Sequence, residues 1–314
     1  MCFEGWKTVR ILLLLAMPSG WLWAQAGEVT STRPAEYMIY QYPNISLVVK
    51  IDALEAEFDV QITGPEKAQL IDSTVEHRRL GPIFQLVEPV DTPRQLMIKI
   101  NPGRAIERSR ITMELIQLSN REQNDRMLAQ AYRLFSSGVE RNHSNDTTTW
   151  TTKVYSLRSA AQVFEEFGME EMRLWSEYYA AHLMLYQLND VLSALEFSEY
   201  LLRASQKAGF DTIRLAAMAL QSEGLMMAAA KASREDSGAY LARVHPVLQE
   251  QAALADSLGL VSERGRALYS DGLAYEKQGE VDQAIERFQQ ALDISLTSGL
   301  SLIHISEPTR PILV

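Results

Sequence analysis

Four times in its second half the chain repeats one phrase: "FEEFGME", "SQKAGFD", "ADSLGLV" and "SLTSGL". Each sets a glycine, Gly168, Gly209, Gly259 or Gly299, behind an apolar helical stretch and ahead of a hydrophobic residue. Glycine in the left-handed conformation ends a helix there, and the next apolar side chain folds back on it, the Schellman ending. The glycines recur at intervals of about 40 residues, with one longer, which is the period of stacked helical hairpins. A single hairpin cannot bury its apolar face alone, so this period requires neighbours that pack in chain order as a solenoid.

The last unit is the clearest: "ALYSDGLAYEKQGEVDQAIERFQQALDIS". It resembles a tetratricopeptide (TPR) repeat. Gly272 and Ala284 stand at the small positions where the two helices of such a repeat touch. Tyr275 and Phe288 match the large residues around them, Gly279 the inter-helix turn, and Ala291 the contact with the following helix. Asp271 departs from the usual leucine, and Leu296 from the usual terminal proline. Two upstream stretches have two-helix length, one turning at Asn189-Asp190, the other with a longer connection at Arg234 to Gly238 and a helix started or kinked at Pro246. With helices from Asp125 to Phe167, headed by an apolar face of Met127, Leu128, Ala131, Leu134 and Phe135, about four hairpins are expected over 122–299. Thr147 to Thr149 are expected to cap the second of these helices.

Before Ser119 the period is different. "FDVQITGPE" alternates Phe58, Val60 and Ile62, "QLMIKINPG" alternates Leu96, Ile98 and Ile100, and "RITMELIQL" alternates Ile111, Met113 and Leu115. Period-2 alternation broken by Gly-Pro and Asn-Pro-Gly turns means strands with one buried face, hence a small antiparallel β-sandwich over 37–118. The order of these strands resembles the bacterial pre-peptidase C-terminal (PPC) domain, an accessory module. Asp59 is read as a loop brace rather than a ligand. The fold class is therefore α+β multidomain: a small antiparallel β-sandwich, then an all-α, TPR-like superhelical solenoid.

The chain opens with Lys7 and Arg10, an apolar run to Trp23, and Ala24-Gln25-Ala26 before Gly27. That is the pattern of a secretory signal peptide over 1–26, with a linker at 27–36. The expectation is export by the Sec route to the periplasm, cell envelope or exterior, with no stable membrane span after cleavage. Cys2, the one cysteine, lies in this leader, so the mature chain would hold no disulfide and no thiolate site. The net charge of −10 is spread without a basic stripe, which makes nucleic acid a poor partner. At the other end, Leu300 to Arg310, "LSLIHISEPTR", corresponds codon for codon to the adapter of transposase-based sequencing libraries. Residues 300–314 are read as adapter-derived, and the natural chain as interrupted inside its repeats.

Signal peptide, PPC-like strands and helical hairpins in this order resemble the N-terminal half of exported bacterial CHAT-domain proteins. That resemblance implies a caspase-like cysteine peptidase domain after the repeats, with a His and Cys dyad that no residue here matches. No catalytic, metal or cofactor constellation is recognised in the fragment. The aromatic cluster Trp175, Tyr178, Tyr179 and Tyr186 reads as core packing or as a peptide-binding groove, packing being preferred. The expected partner is a protein or peptide, and self-association through an uncapped last hairpin is a further expectation.

Overall fold

A computed structural model describes residues 10–11, 22–30, 35–53, 58–64, 70–74, 81–102, 108–139 and 146–298. Gly299, the 300–314 segment and most of the leader lie outside them. The chain divides into two compact units, Met1–Asn142 and His143–Val314.

The strands of the first unit are β1 (Arg10–Ile11), β2 (Leu22–Thr30), β3 (Ala35–Gln41), β4 (Ile45–Ala53), β5 (Phe58–Thr63), β6 (Leu70–Thr74), β7 (Ile83–Val87), β8 (Arg94–Pro102) and β9 (Arg108–Ser119). They form two sheets, ordered β1-β3-β8-β5-β6 and β2-β9-β4-β7. Pairing is antiparallel except for the two-residue β1 on β3. The alternating residues of the sequence reading meet in one core: Val60, Ile62, Leu96, Ile98, Ile100, Met113 and Leu115 join Tyr37, Ile39, Leu47, Val49, Ile51 and Val87. Side chains from both sheets share that cluster, as a period of two on each strand requires. The stretch 27–36, expected to be a linker, instead holds the end of β2 and the start of β3. The expected cleavage site between Ala26 and Gly27 falls inside β2, which pairs with β9 from Leu22↔Ile116 to Thr30↔Arg108.

The strand β4 carries "LVV", with Leu47, Val48 and Val49 all buried, and shows no alternation. The reason is α1 (Gln123–Val139), which packs on β4, β7 and β9 and covers the other face of their sheet. Phe84 of β7 meets Phe135 edge-on at 5.4 Å and Tyr132 at 5.8 Å. Arg133 donates twice to the Glu88 carboxylate, at 2.6 and 2.7 Å. Asp125 at the start of α1 accepts from the Ser119 backbone N–H at 2.6 Å. The helix placed at the head of the array by its period alone therefore packs with the strands. Its buried face is also rotated: Ala129, Ala131, Tyr132, Phe135 and Gly138 are inside, and Met127 is exposed.

The second unit holds α2 (Thr147–Glu166), α3 (Glu170–Tyr186), α4 (Val191–Ala208), α5 (Asp211–Lys231), α6 (Arg234–Ser257), α7 (Val261–Gln278) and α8 (Val281–Ser298). Each helix packs on the next in chain order, and α3 also touches α5. Within this unit α2 stands singly before three hairpins, α3–α4, α5–α6 and α7–α8. The cap of α2 is Asp146, which accepts from the Thr148 N–H at 3.0 Å, and Thr147 to Thr149 form the first turn instead. A carboxylate at that place satisfies an open N–H and faces the positive end of the helix dipole. The Arg234–Gly238 stretch is likewise the start of α6, not a connection; Ser233 caps it and Pro246 sits within the continuous helix. The turn between α3 and α4 has Asn189 at φ 55° and Asp190 as cap. Among the described residues no helix is long and apolar enough to cross a membrane.

Candidate functional site

The repeated glycines make the bonds that end a Schellman helix. Gly168, Gly209 and Gly259 have φ of 67°, 76° and 71°. The following residues Met169, Phe210 and Leu260 donate back to Phe164, Ser205 and Ala255 at 2.8, 3.0 and 2.8 Å. Gly279, expected as a turn, is of the same kind, with φ 81° and Glu280 donating to the Tyr275 carbonyl at 3.0 Å. In the last hairpin, a Cβ on Gly272 would stand 2.6 Å from Cε1 of Phe288, so the ring lies directly on the α7 backbone. Ala284 and Ala291 are buried beside it.

The structure brings together one group that sequence reasoning left scattered. His245 of α6 places Nδ1 2.6 Å from Oδ1 of Asp271 and Nε2 3.1 Å from Oε1 of Gln278. Its ring stacks on Tyr275 at 3.9 Å. The second oxygen of Asp271 takes Arg287 of α8 at 2.9 Å. Asp271 is 2 % exposed, which a carboxylate tolerates only when paired and hydrogen-bonded. The one signal for this group was the departure at Asp271 from the leucine of the repeat pattern. Both ring nitrogens and one face of the imidazole are engaged by α7, so the group ties α6, α7 and α8 together rather than presenting a base to a substrate.

The aromatic cluster on α3 is packed inward. Trp175, Tyr178 and Tyr179 are buried, with ring centroids 5.3 to 6.0 Å apart. Tyr186 is half-buried and meets His182 at 4.5 Å, the two rings tilted by 48°. Beside them Arg173 donates to Glu170 at 2.5 and 2.9 Å, to Glu177 at 3.2 Å, and to the Tyr200 hydroxyl. Hydrogen bonding to Glu170 raises the Arg173 pKa above its ordinary value, and the same contact holds Glu170 below the usual carboxylate range. Burial pushes Glu177 up, against the opposite pull of Arg173, and burial also pushes Tyr200 up. Two carboxylates on one guanidinium thus differ because the hydrogen bond to Arg173 outweighs burial at Glu170, while burial outweighs Arg173 at Glu177.

An open groove of about 410 Å³ runs between α6, α7 and α8, lined by Ala252, Ala253, Asp256, Arg264, Leu268, Gln290, Asp293 and Ile294. Asp256 and Arg264 in its lining form an ion pair at 2.6 Å. Among the described residues no three His, Cys, Asp or Glu side chains gather as a metal site needs.

No family model and no curated protein matches the chain. A solved structure with some likeness is the periplasmic inhibitor of g-type lysozyme, PliG, of Aeromonas hydrophila. It is 12% identical, over 35% of this chain and 96% of that one, with a TM-score of 0.28. A likeness that slight carries no argument about fold or function.

Proposed function

We propose that the chain is an exported protein-interaction scaffold whose TPR-like helical hairpins hold a protein or peptide partner. The observation that carries this reading is a repeated register. Counted back from each helix-ending glycine, Val154, Leu195 and His245 occupy the same place on α2, α4 and α6. Two of these contacts with the following helix are explicit: Leu195 lies against Gly224 of α5, and His245 against Tyr275 of α7. Units that meet their neighbours in one register build an extended curved surface, which is what repeat proteins use for binding. Export is part of the proposal and rests on the leader pattern alone. Cleavage after Ala26 would leave Gly27 to Thr30 of β2 on the mature chain.

Co-purification from the envelope fraction of an expressing bacterium tests the reading: a specific protein should be retained by the folded chain and released by exposed substitutions on the helical unit. A folded, monodisperse chain that retains nothing sinks it. N-terminal sequencing of the recovered chain should begin at Gly27.

The order of β region and then helical hairpins also favours a second reading, the regulatory front of a CHAT-type cysteine peptidase. A long read of the source DNA across the codons for Gly299 and Leu300 decides it. Codons for a His and, further on, a Cys domain support this reading, and a natural stop at that point removes it.

A further inference from the structure

The proposed cleavage after Ala26 falls in the middle of a formed strand. Leu22 to Ala26 pair with Ile116 to Thr112 of β9, and Gly27 to Thr30 with Ile111 to Arg108. Removing the leader takes away the first five residues of β2 and keeps the last four, so β9 becomes an edge over Thr112 to Ile116. β1 leaves as well, but it covers only Tyr37 and Met38 of β3.

Which backbone groups this opens follows from the register. The Asn120 N–H donates to the Asn44 carbonyl at 2.7 Å, and β4 then pairs with β9 from Ile45↔Ser119 to Ala53↔Ile111 without a shift. In an antiparallel ladder, residues bonded to one neighbour alternate with residues that turn their groups the other way. Ile116, Glu114 and Thr112 therefore bond to β4, and Met113 and Leu115 turn N–H and C=O towards β2. Ser119 has the same parity, and its N–H does leave β4, for the Asp125 carboxylate at 2.6 Å. The opened stretch has little of the usual protection of an edge: no proline, no lysine, and one charge, Glu114, held by Lys50 at 3.7 Å. Met113 and Leu115 are at most 1% exposed, in the shared core, so the edge opens beside buried apolar side chains.

We propose that processing turns β9 into an acceptor for a strand from a protein partner, a second binding surface besides the helical hairpins. It rests on the leader reading of the chain. The partner supplies an extended segment that runs antiparallel to β9, as the lost residues do, and is apolar opposite Met113 and Leu115. The test uses the chain recovered from the envelope and a synthetic peptide of Pro18 to Ala26, the strand that leaves. When the chain starts at Gly27, the Met113 and Leu115 amides should exchange fast, and the peptide should slow them by at least about tenfold. The Glu114 amide, bonded to β4, should stay protected throughout. N-methylation of the peptide at Trp23 and Gln25, whose amides pair with Leu115 and Met113, should abolish the slowing; N-methylation at Leu22 and Ala24 should not. A chain recovered with Leu22 to Ala26 still attached overturns the proposal by way of the leader reading, the edge then being filled from within. A chain that starts at Gly27 overturns it on its own account in any of three ways: Met113 and Leu115 are protected without peptide, as a β9-to-β9 dimer would make them; Glu114 exchanges as fast as they do; or the three peptides act alike.

Discussion

The two units bury their apolar residues in opposite ways. In the first, side chains from β3, β4, β5, β7, β8 and β9 meet in one cluster, so residues far apart in sequence depend on each other. In the second, contacts pass from each helix to the next, and almost every partner is close in sequence. A single shared core makes a defect everyone's loss; a chain of neighbour contacts confines it. The difference follows from what each element can satisfy. A strand leaves its backbone groups to be paired by another strand, whereas a helix pairs its own and asks a neighbour only for a matching face.

The largest expected effect tests the shared core. Ile98 is fully buried in the middle of β8, and Ile98→Ala should cost about 3–4 kcal/mol through lost contacts and the cavity left behind. Hydrogen exchange should then speed up throughout the first unit and leave amides of α3 to α7 protected. Equal loss of protection in both units would erase the contrast.

A smaller effect probes confinement in the helices. Gly272→Ala places a methyl group on the Phe288 ring and should cost about 1–3 kcal/mol of local stability. Exchange should rise in α7 and α8 and not in α3 and α4. Adding Phe288→Ala should cost less than the two single changes taken together, since the clash is then gone. Additivity would place the strain elsewhere.

The smallest effect sharpens the picture within about two turns of α3. Glu177 has a folded pKa above the ordinary carboxylate value, so its contribution is present at low pH and lost as pH rises through that raised value. Glu177→Gln should therefore be slightly stabilising at neutral pH, with the gain fading as pH falls through the same window. Glu170 is shifted the other way: its contribution is present above the ordinary carboxylate value and lost as pH falls through the lowered folded one. Glu170→Gln should be slightly destabilising at neutral pH and neutral in strong acid. Each effect should be about 1 kcal/mol or less, Glu170 being largely exposed to screening. Urea midpoints measured from pH 2 to 8 check both; the same sign for the two variants at neutral pH would refute the account.

The places where the sequence misled share a cause. The period of α1 revealed that one face is apolar but not what lies against it, and the choice fell to Phe84 and the open side of the β4–β7–β9 sheet. That same covering erased the alternation of β4, which hid the strand. His245, Asp271 and Arg287 lie on three different helices, so no stretch of sequence joins them, and only their packing makes a buried carboxylate tolerable. The aromatic row on α3 was legible as a row; whether it lined a groove or a core depended on neighbours that spacing cannot name.

By itself, the sequence determined what depends on near neighbours along the chain: where the helices of the second unit end, since glycine can turn left-handed where other residues are strained, and which faces of β5, β8 and β9 go inward, since side chains alternate on a strand. Tertiary structure decided what depends on distant segments: that β2 pairs along β9, that α1 belongs with the sheets, and that Asp271 can be buried between His245 and Arg287. Local backbone and rotamer preferences act over a few residues and leave a readable mark at each position. The partner of an apolar face or a buried charge is chosen by shape and desolvation across the whole fold, and no single stretch of chain records that choice.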